Sequence, residues 1–298
     1  MSSQLISDVI YFLHSDKDHK WDELIEIIHL VNKLNPYIST NNEINEYMWN
    51  EQCGINVPLM YIASIYLYTH AKKNNVDTFL FATRDCCHWI EIFKKLFPNE
   101  HSIYFNCSRN MLDGATKTDN KYYDDYVKNC IKTDVTKCIF VDIHGTGKRA
   151  FSYFEKKYGD GQVPYNFLLS SSYRHYGEFP TITQKYYEKG KFINLIFDAR
   201  GSPIEMLNYD KQGTLQTYNH KGTVRDPPEY ELKYLEAYHV CVKYMCRHIK
   251  EFKYNDNIQL ELLYKIIQKI YRVIQDNKPA ISVNIKHPVK HPKLGDTQ

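Results

Sequence analysis

The stretch KCIFVDIHGTGKR, residues 137–149, indicates the fold of this 298-residue chain. An apolar run of strand length leads to a carboxylate, Asp142, and a Gly-Thr-Gly turn follows after two further residues. From Arg149 to Lys157 the apolar residues recur at helical spacing. A buried strand, a glycine turn and a helix, in this order, form the repeating unit of α/β proteins.

The same alternation continues on both sides of this stretch. Helices are predicted at residues 57–73 and 88–96, and short apolar strands at 78–82, 102–107, 165–170 and 192–197. Strands that alternate with helices pair in parallel through right-handed crossovers. The sequence therefore predicts an α/β fold with a parallel sheet flanked by helices.

The remaining segments are predicted from their composition and periodicity. Residues 111–132 are polar and rich in Tyr, which favours a mobile excursion from the sheet, and 172–230 indicate loops around the strand at 192–197. Helical patterns also occupy residues 4–34, 230–252 and 258–274. We expect a helical N-terminal cap (1–53), an α/β core (54–228), C-terminal helices (229–276) and a flexible basic tail (277–298).

The composition excludes several classes of protein. Hydrophobic residues make up 43% of the chain and charged residues 24%, which excludes wholesale disorder and fibrous repeats. The formal charge of +3 is too small to indicate a nucleic-acid partner. The sequence shows neither a run of roughly 20 apolar residues, as a membrane span requires, nor a secretory signal at its start. We expect a cytoplasmic protein without a membrane span.

The eight cysteines show no spacing typical of a zinc site, so zinc is not expected. In a reducing compartment they also stay free of disulfide bonds. Cys86, Cys87 and His88 permit two interpretations: a nucleophilic thiol, or cysteines that face the core at the start of a helix. The second interpretation is favoured, because buried cysteine is common and reactive cysteine needs a lowered pKa.

Polar side chains follow three of the predicted strands. Arg84 and Asp85 come after the first, Ser108 and Arg109 after the second, and Asp142 ends the third. Because ligands bind beyond the carboxyl ends of parallel strands, we expect these side chains to share one ligand site. The alternative for Arg84 and Asp85 is that they pair with each other or cap the next helix.

The glycine turn predicts an anion site. Gly145, Thr146 and Gly147 would place backbone N–H groups and the start of a helix beside the ligand, and Lys148 and Arg149 would add positive charge. Neither the Walker spacing nor a dinucleotide fingerprint is present. The alternative interpretation is a tight turn without a ligand.

Residues 140–148 also resemble the ribose-phosphate-binding motif of type I phosphoribosyltransferases. The resemblance implies that Asp142 holds ribose hydroxyls and that the residues 146–148 bind the 5-phosphate. Three positions depart from the family pattern: Val141 replaces the first acid, Gly145 replaces a catalytic Asp of purine-salvage members, and Arg149 replaces the usual Thr. Ligand binding tolerates these changes more easily than the family's transfer chemistry does.

A second resemblance covers residues 54–218. The segments 79–85, 104–109, 141–146, 204–207 and 213–214 are similar to an Arg-Asp-Gly, Ser-Arg, Asp-x-Gly-x-x-Gly-Thr and x-Glu-x-Leu series in bacterial proteins of surface-polysaccharide gene clusters. Those proteins are labelled predicted haloacid-dehalogenase-type hydrolases, because this module often follows a phosphatase module there. This sequence lacks the phosphatase module, and Cys86 stands where the bacterial proteins carry Gly.

A phosphatase is the main competing interpretation. Residues 141–146 also resemble the signature Asp-x-Asp-Gly-Thr, in which the first Asp attacks phosphorus and the second is the proton donor. Here Asp142 takes the first position and His144 the second. A histidine can donate a proton but supplies no carboxylate to Mg²⁺. A non-catalytic sensor or assembly protein that keeps the pocket is a third interpretation.

These patterns together predict a protein that binds a phosphorylated sugar or sugar nucleotide, with glycosyl or phosphoribosyl transfer as its reaction. Asp142 would contact the sugar hydroxyls or Mg²⁺, and His144 is the second candidate catalytic residue. The predicted substrate-binding residues are Arg84, Asp85, Ser108, Arg109, Gly145, Thr146, Gly147, Lys148 and Arg149.

Overall fold

The computed structural model describes residues 2–17, 20–40, 42–117, 120–131, 134–171, 179–197, 203–276 and 279–284. The strands are β1 Thr78–Ala82, β2 His101–Phe105, β3 Cys138–His144, β4 Tyr165–Ser171, β5 Phe192–Phe197, β6 Leu215–Asn219 and β7 Gly222–Arg225. The helices are α1 Ser2–Ser15, α2 Asp22–Lys33, α3 Glu43–Glu51, α4 Val57–Lys73, α5 Cys87–Leu96, α6 Arg109–Lys117, α7 Lys121–Cys130, α8 Lys148–Tyr158, α9 Thr181–Glu188, α10 Pro203–Met206, α11 Leu232–His248, α12 Leu260–Asp276 and α13 Ala280–Asn284.

A five-stranded parallel sheet forms the centre of the protein, in the order β2-β1-β3-β4-β5. All five residues of β1 are buried, as expected for a strand with helices on both faces. In register, Thr78 lies opposite His101 of β2 on one side and opposite Cys138 of β3 on the other. The predicted α/β class, with a parallel sheet flanked by helices, is confirmed.

The strand order places helices on both faces of the sheet. From β1 the chain moves outward to β2 through α5, and from β3 it moves in the other direction through α8 and α9. Right-handed crossovers that run in opposite directions lie on opposite faces. In agreement, α5 packs on α4, whereas α8 packs on α6 and α9. The point where the direction reverses lies between β1 and β3.

The N-terminal and C-terminal helices belong to the same hydrophobic core as the sheet. Val9 of α1, Phe81 of β1 and Ile270 of α12 are fully buried members of one cluster of contacting residues. α3 continues into α4 through a π-helical turn, Gln52–Asn56. Pro58 follows this turn and has no N–H for a bond to the preceding turn, so the wider turn accommodates it.

Three segments differ from the sequence-based expectations. The predicted excursion at 111–132 instead contains α6 and α7, whose apolar faces bury Met111, Tyr123 and Val127. The loop-rich region also contains α9 and the antiparallel hairpin of β6 and β7. Part of the predicted flexible tail forms α13, because Ala280 and Ile281 pack into a buried cluster. The remainder of that tail, from residue 285, lies outside the described residues.

None of the helices in the described part of the chain combines the length and the apolar composition needed to cross a lipid bilayer.

Candidate functional site

A cleft of about 470 Å³ lies beyond the carboxyl ends of β1, β2 and β3. It occupies the position where the strand order reverses, which is where ligands bind in open parallel sheets. Its volume lies within the range of small-molecule sites. It is lined by Ala82, Thr83, Arg84, Asp85, Cys107, Ser108, Arg109, Asn110, Leu112, Phe140, Asp142, His144, Gly145, Thr146, Gly147, Lys148, Arg149, Ala150, Asn166, Leu168, Glu205, Tyr209, Thr214, Leu215 and Glu229.

Every residue that the sequence analysis assigned to the site lines this cleft. They come from the loops after β1, β2 and β3 and from the first turn of α8. The structure therefore brings the predicted residues together, although their contacts differ from residue to residue.

The end of β3 forms the floor of the cleft. Asp142 remains partly accessible, and its Oδ1 accepts a hydrogen bond of 2.8 Å from the backbone N–H of Ile143. His144 Nδ1 lies 3.0 Å from the hydroxyl of Ser170 on β4, and that hydroxyl donates to the carbonyl of Ile143. Burial and, to a smaller extent, the charge of Arg109 lower the pKa of His144. The imidazole is therefore mainly neutral at pH 7.

The two glycines of the turn have different surroundings: Gly145 faces the cleft, and Gly147 packs against buried side chains. Gly147 is the N-cap of α8, with a left-handed φ of 71°. A Cβ at Gly147 would lie 3.0 Å from both Asn166 and Phe192, on the core side. A Cβ at Gly145 would have only Asp142 within 4 Å, at 3.9 Å, on the cleft side. Gly147 thus permits the turn, and Gly145 keeps the approach to Asp142 open.

The first turn of α8, which lines the cleft, begins with N–H groups that have no side-chain cap among the described residues. The N–H of Gly145 is not among the available donors, because it bonds to the carbonyl of Ser170 at 3.3 Å. Lys148 is exposed at the rim. Arg149 Nε donates to Asp113 at 2.6 Å, and both side chains are about half exposed. Arg149 therefore contributes less free charge to the site than the sequence suggested.

The loop after β1 carries an ion pair that the sequence did not predict. Arg84 Nη1 donates to Glu229 Oε2 at 2.7 Å, so the partner of Arg84 comes from the segment before α11. Asp85 does not act as the side-chain cap of α5, whose N-cap residue is Cys86. The peptide bond between Thr83 and Arg84 is cis.

The loop after β2 contributes one structural residue and one available cation. Ser108 donates to the carbonyl of Leu215 at 2.6 Å and accepts from the N–H of Met111 at 3.2 Å. Its hydroxyl is thus engaged in holding α6 and β6. Arg109 is exposed to the cleft and has no hydrogen bond or ion pair within the described parts of the chain. Arg109 is the cation best placed to meet a ligand.

The segment between β5 and α11 adds residues that sequence reasoning missed. Its described part, residues 203–231, contributes Glu205, Tyr209 and Glu229 to the wall of the cleft. Glu205 belongs to one of the motifs quoted above, but no strand end precedes it to mark it as a site residue. Tyr209 and Glu229 carried no sequence signal, because their positions depend on how this segment folds back.

Three acidic groups of the cleft repel one another. Burial, followed by the charges of Asp85 and Glu205, raises the pKa of Asp142 well above its ordinary range, while Arg109 acts in the opposite direction. Burial and then Asp85 raise the pKa of Glu205 to about 8. Burial also raises the pKa of Asp85, against the favourable charge of Arg84. The cleft thus favours a ligand that brings positive charge or hydroxyl donors to these oxygens.

Asp85, Asp142 and Glu205 line the cleft, but their oxygens do not form a cluster with the short separations of a metal site among the described residues. Mg²⁺ takes carboxylate oxygens together with substrate phosphates, so a magnesium site here stays a prediction.

The cysteines beside the cleft do not have the properties of a nucleophile. Cys86 is fully buried and donates to the carbonyl of Val141 at 3.4 Å. Burial, followed by neighbouring acidic groups, raises the pKa of both Cys86 and Cys87 well above the ordinary value. A thiol with a raised pKa carries little thiolate at pH 7, which supports the packing interpretation for Cys86.

A scan against protein-family models and a search of curated proteins found no match to this chain.

Proposed function

We propose that the protein has a phosphoribosyltransferase-like fold and binds a phosphorylated sugar or a sugar nucleotide in the cleft. The observation that supports this most is the meeting of the quoted motifs in one place. Asp85, Arg109 and Glu205 come from three separate motifs, and Asp142 and Thr146 come from a fourth. All line the same cleft at the reversal of strand order.

The two sides of the cleft match the two chemical parts of such a ligand. The start of α8, with Lys148, offers N–H groups and positive charge to a phosphate, and Arg109 offers a second cation. The carboxyl oxygens of Asp142 and Glu205 are acceptors for hydrogen bonds from sugar hydroxyls. A ligand that is anionic at one end and rich in hydroxyls at the other satisfies both sides.

Transfer at the anomeric carbon is the reaction that this arrangement serves best. The bond that breaks joins the sugar to a phosphate leaving group, which takes the bonding electrons, and the sugar develops positive charge as the bond lengthens. The bond that forms joins the anomeric carbon to an oxygen or nitrogen of the acceptor, which releases its proton to water. Asp142 then stabilises the sugar, and Arg109 with the start of α8 stabilises the departing phosphate.

A phosphatase requires a proton donor beside the attacking carboxylate, and the neutral His144 at that position also lacks an oxygen for Mg²⁺. We expect no phosphoenzyme and no phosphate release from generic phosphatase substrates. Magnesium-dependent phosphate release that Asp142→Asn abolishes would favour the phosphatase instead.

A thermal-shift screen tests the proposed ligand class. The chain is melted with 5-phosphoribosyl pyrophosphate and with a panel of sugar nucleotides, each with and without Mg²⁺. A ligand at 100 times its dissociation constant stabilises the fold by roughly 2.7 kcal/mol, which is a shift of several degrees. Incubating the stabilising ligand with acceptor sugars or bases then tests for transfer.

Arg109→Gln should reduce that shift, because it removes a cation of the cleft that has no ion-pair partner among the described residues. Arg272→Gln is the matched control, since Arg272 is exposed on α12 and does not line the cleft. A screen in which millimolar ligands with Mg²⁺ leave the melting temperature unchanged would contradict the proposal and favour an assembly protein.

A further inference from the structure

Three side chains that commonly bind metals meet beside the cleft, at the contact between α5 and α11. The ligand atoms of Cys87, His88 and His239 all lie within 4.8 Å of one another. The rings of His88 and His239 have centroids 4.4 Å apart and are inclined at 65°. Sequence spacing gave no indication of this cluster, because His239 belongs to a helix far along the chain.

The two histidines have hydrogen-bond patterns that favour a metal. His88 is 1% exposed, and its Nε2 has no hydrogen-bond partner within the described residues. His239 lies 2.8 Å from the carbonyl of Tyr209 through Nε2, so the tautomer that donates there leaves the lone pair of Nδ1 available. Histidines that bind metals are commonly oriented by such a bond from the second ring nitrogen to a backbone carbonyl.

We propose that Cys87, His88 and His239 bind one Zn²⁺ ion, with water in the fourth position. A thiolate and two imidazoles suit Zn²⁺, whereas Mg²⁺ and Ca²⁺ select oxygen ligands. Zinc–sulfur and zinc–nitrogen bonds of about 2.3 and 2.0 Å place tetrahedral ligand atoms roughly 3.5 Å apart. The ligand atoms, which here lie within 4.8 Å of one another, move closer together when the ion binds.

The surroundings admit the ion and balance its charge. His239 is only partly buried, so its side of the cluster provides a route from solvent. The negative charges of Asp210 and Glu91 act on Cys87 and favour a cation there, whereas the positive charge of Lys211 acts on His88 in the opposite sense. Cys87 releases its proton when the metal binds, so affinity rises with pH.

Cobalt binding to the full-length protein under reducing conditions tests the proposal. Co²⁺ substitutes for Zn²⁺ and reports its ligands by absorption. We expect one equivalent to bind, with a sulfur-to-cobalt charge-transfer band and the intense visible bands of a tetrahedral ion, and Zn²⁺ should displace it. A parent protein that binds no Co²⁺, or that shows no sulfur band, overturns the proposal.

Cys87→Ser should remove the sulfur band, and both Cys87→Ser and His239→Gln should weaken Zn²⁺ binding. The loss should exceed the roughly 10- to 100-fold that removal of an outer-shell contact costs. The controls are Cys246→Ser and His248→Gln, which change the same residue types elsewhere on α11 and should retain parental affinity. Retention of the sulfur band in Cys87→Ser, or equal losses in the controls, overturns the proposal. His239→Gln changes a partly exposed side chain, so it tests the site independently of any folding defect in Cys87→Ser.

Discussion

The two glycines of the turn after β3 face opposite sides of the backbone. The Cβ position of Gly147 meets Asn166 and Phe192 of the core at 3.0 Å, and the left-handed φ adds a second cost for any side chain. The Cβ position of Gly145 opens toward Asp142 and the cleft. A substitution at Gly147 therefore affects mainly the stability of the fold, and a substitution at Gly145 affects mainly the access of the ligand to the site.

Gly145→Val should block the ligand and leave the free energy of unfolding within about 0.5 kcal/mol of the parent. Gly147→Val should lower the unfolding free energy by more than about 1 kcal/mol, because a β-branched residue is forced into a left-handed φ and against Phe192. Urea unfolding and ligand affinity, measured on both variants, check this. If Gly145→Val binds the screened ligand as well as the parent, Gly145 does not border the ligand.

Asp142→Asn should raise the stability of the unliganded protein and lower its affinity for the ligand. Asn keeps an oxygen for the N–H of Ile143 but removes a charge that Asp85 and Glu205 repel. A gain of about 1 kcal/mol raises the melting temperature by roughly 2–4 °C in a chain of this size. Melting at pH 8 without ligand checks the first half, and a lower melting temperature than the parent would contradict it.

Single residues of the site were predictable where a strand end and a polar side chain coincide. Asp142, Arg109 and Asp85 were found in this way, and all three line the cleft. The same reasoning predicted a ligand contact for Ser108, but its hydroxyl instead caps α6 and donates to the carbonyl of Leu215. A sequence pattern places a side chain at a sheet edge but does not show which neighbour takes its hydrogen bond.

At the scale of elements, a buried amide network joins the π-helical turn to the segment that carries Glu205. Asn56 and Asn208 exchange hydrogen bonds of 3.1 Å in both directions, and Asn208 also donates to the carbonyl of Ile204 at 2.8 Å. Gln52 donates to the carbonyl of Leu207. The π-helical turn between α3 and α4 thus holds in place the segment that places Glu205 and Tyr209 in the wall of the cleft.

Asn208→Ala should lower the unfolding free energy by roughly 1–3 kcal/mol, because it leaves the buried oxygen of Asn56 without its partner. It should also weaken ligand binding, since Glu205 and Tyr209 lose their support. The control is Asn255→Ala, which removes an exposed bond from the N–H of Asn257 and lies outside the cleft. Chemical denaturation and ligand titration measure the two effects; equal stability of the Asn208→Ala and Asn255→Ala variants would contradict the supporting role.

The elements with strong periodicity were predicted well, and those stabilised by distant contacts were not. β1, β3, α4 and α8 have clear apolar runs or helical spacing, and the structure contains each within a few residues of its predicted range. α6 and α7 are polar along most of their length, and only a few apolar residues face the core. Such segments fold because the neighbouring sheet buries those few residues, which local sequence does not reveal.

At the scale of the whole molecule, a buried carboxyl joins three parts of the chain. Glu51, which is 3% exposed, accepts hydrogen bonds from Tyr238 of α11 at 2.7 Å and from the N–H of Ala280 at 2.9 Å. Burial raises its pKa to about 8, although both hydrogen bonds act in the opposite direction. Glu51 is therefore largely protonated in the folded protein at neutral pH.

Stability should fall as the pH rises from about 4.5 to about 8, because Glu51 ionises first in the unfolded chain and keeps its proton in the folded one. Glu51→Gln should be more stable than the parent at pH 8 by roughly 2–4 kcal/mol, with little difference at pH 5. Denaturant unfolding at the two pH values checks this, with Glu43→Gln at the exposed start of α3 as control. An equal gain at both pH values would show that ionisation of Glu51 is not the cause.

The ion pair between Arg84 and Glu229 can form only late in the synthesis of the chain on the ribosome. Its two residues are separated by 145 positions, so the loop after β1 is synthesised long before its partner exists. At about 5–20 residues per second, Glu229 follows Arg84 by roughly 7–30 s. During that interval Arg84 has the neighbouring charge of Asp85 but lacks its ion-pair partner. Because Glu229 follows β7, the part of the cleft wall that it forms is completed only after all the strands named above have been synthesised.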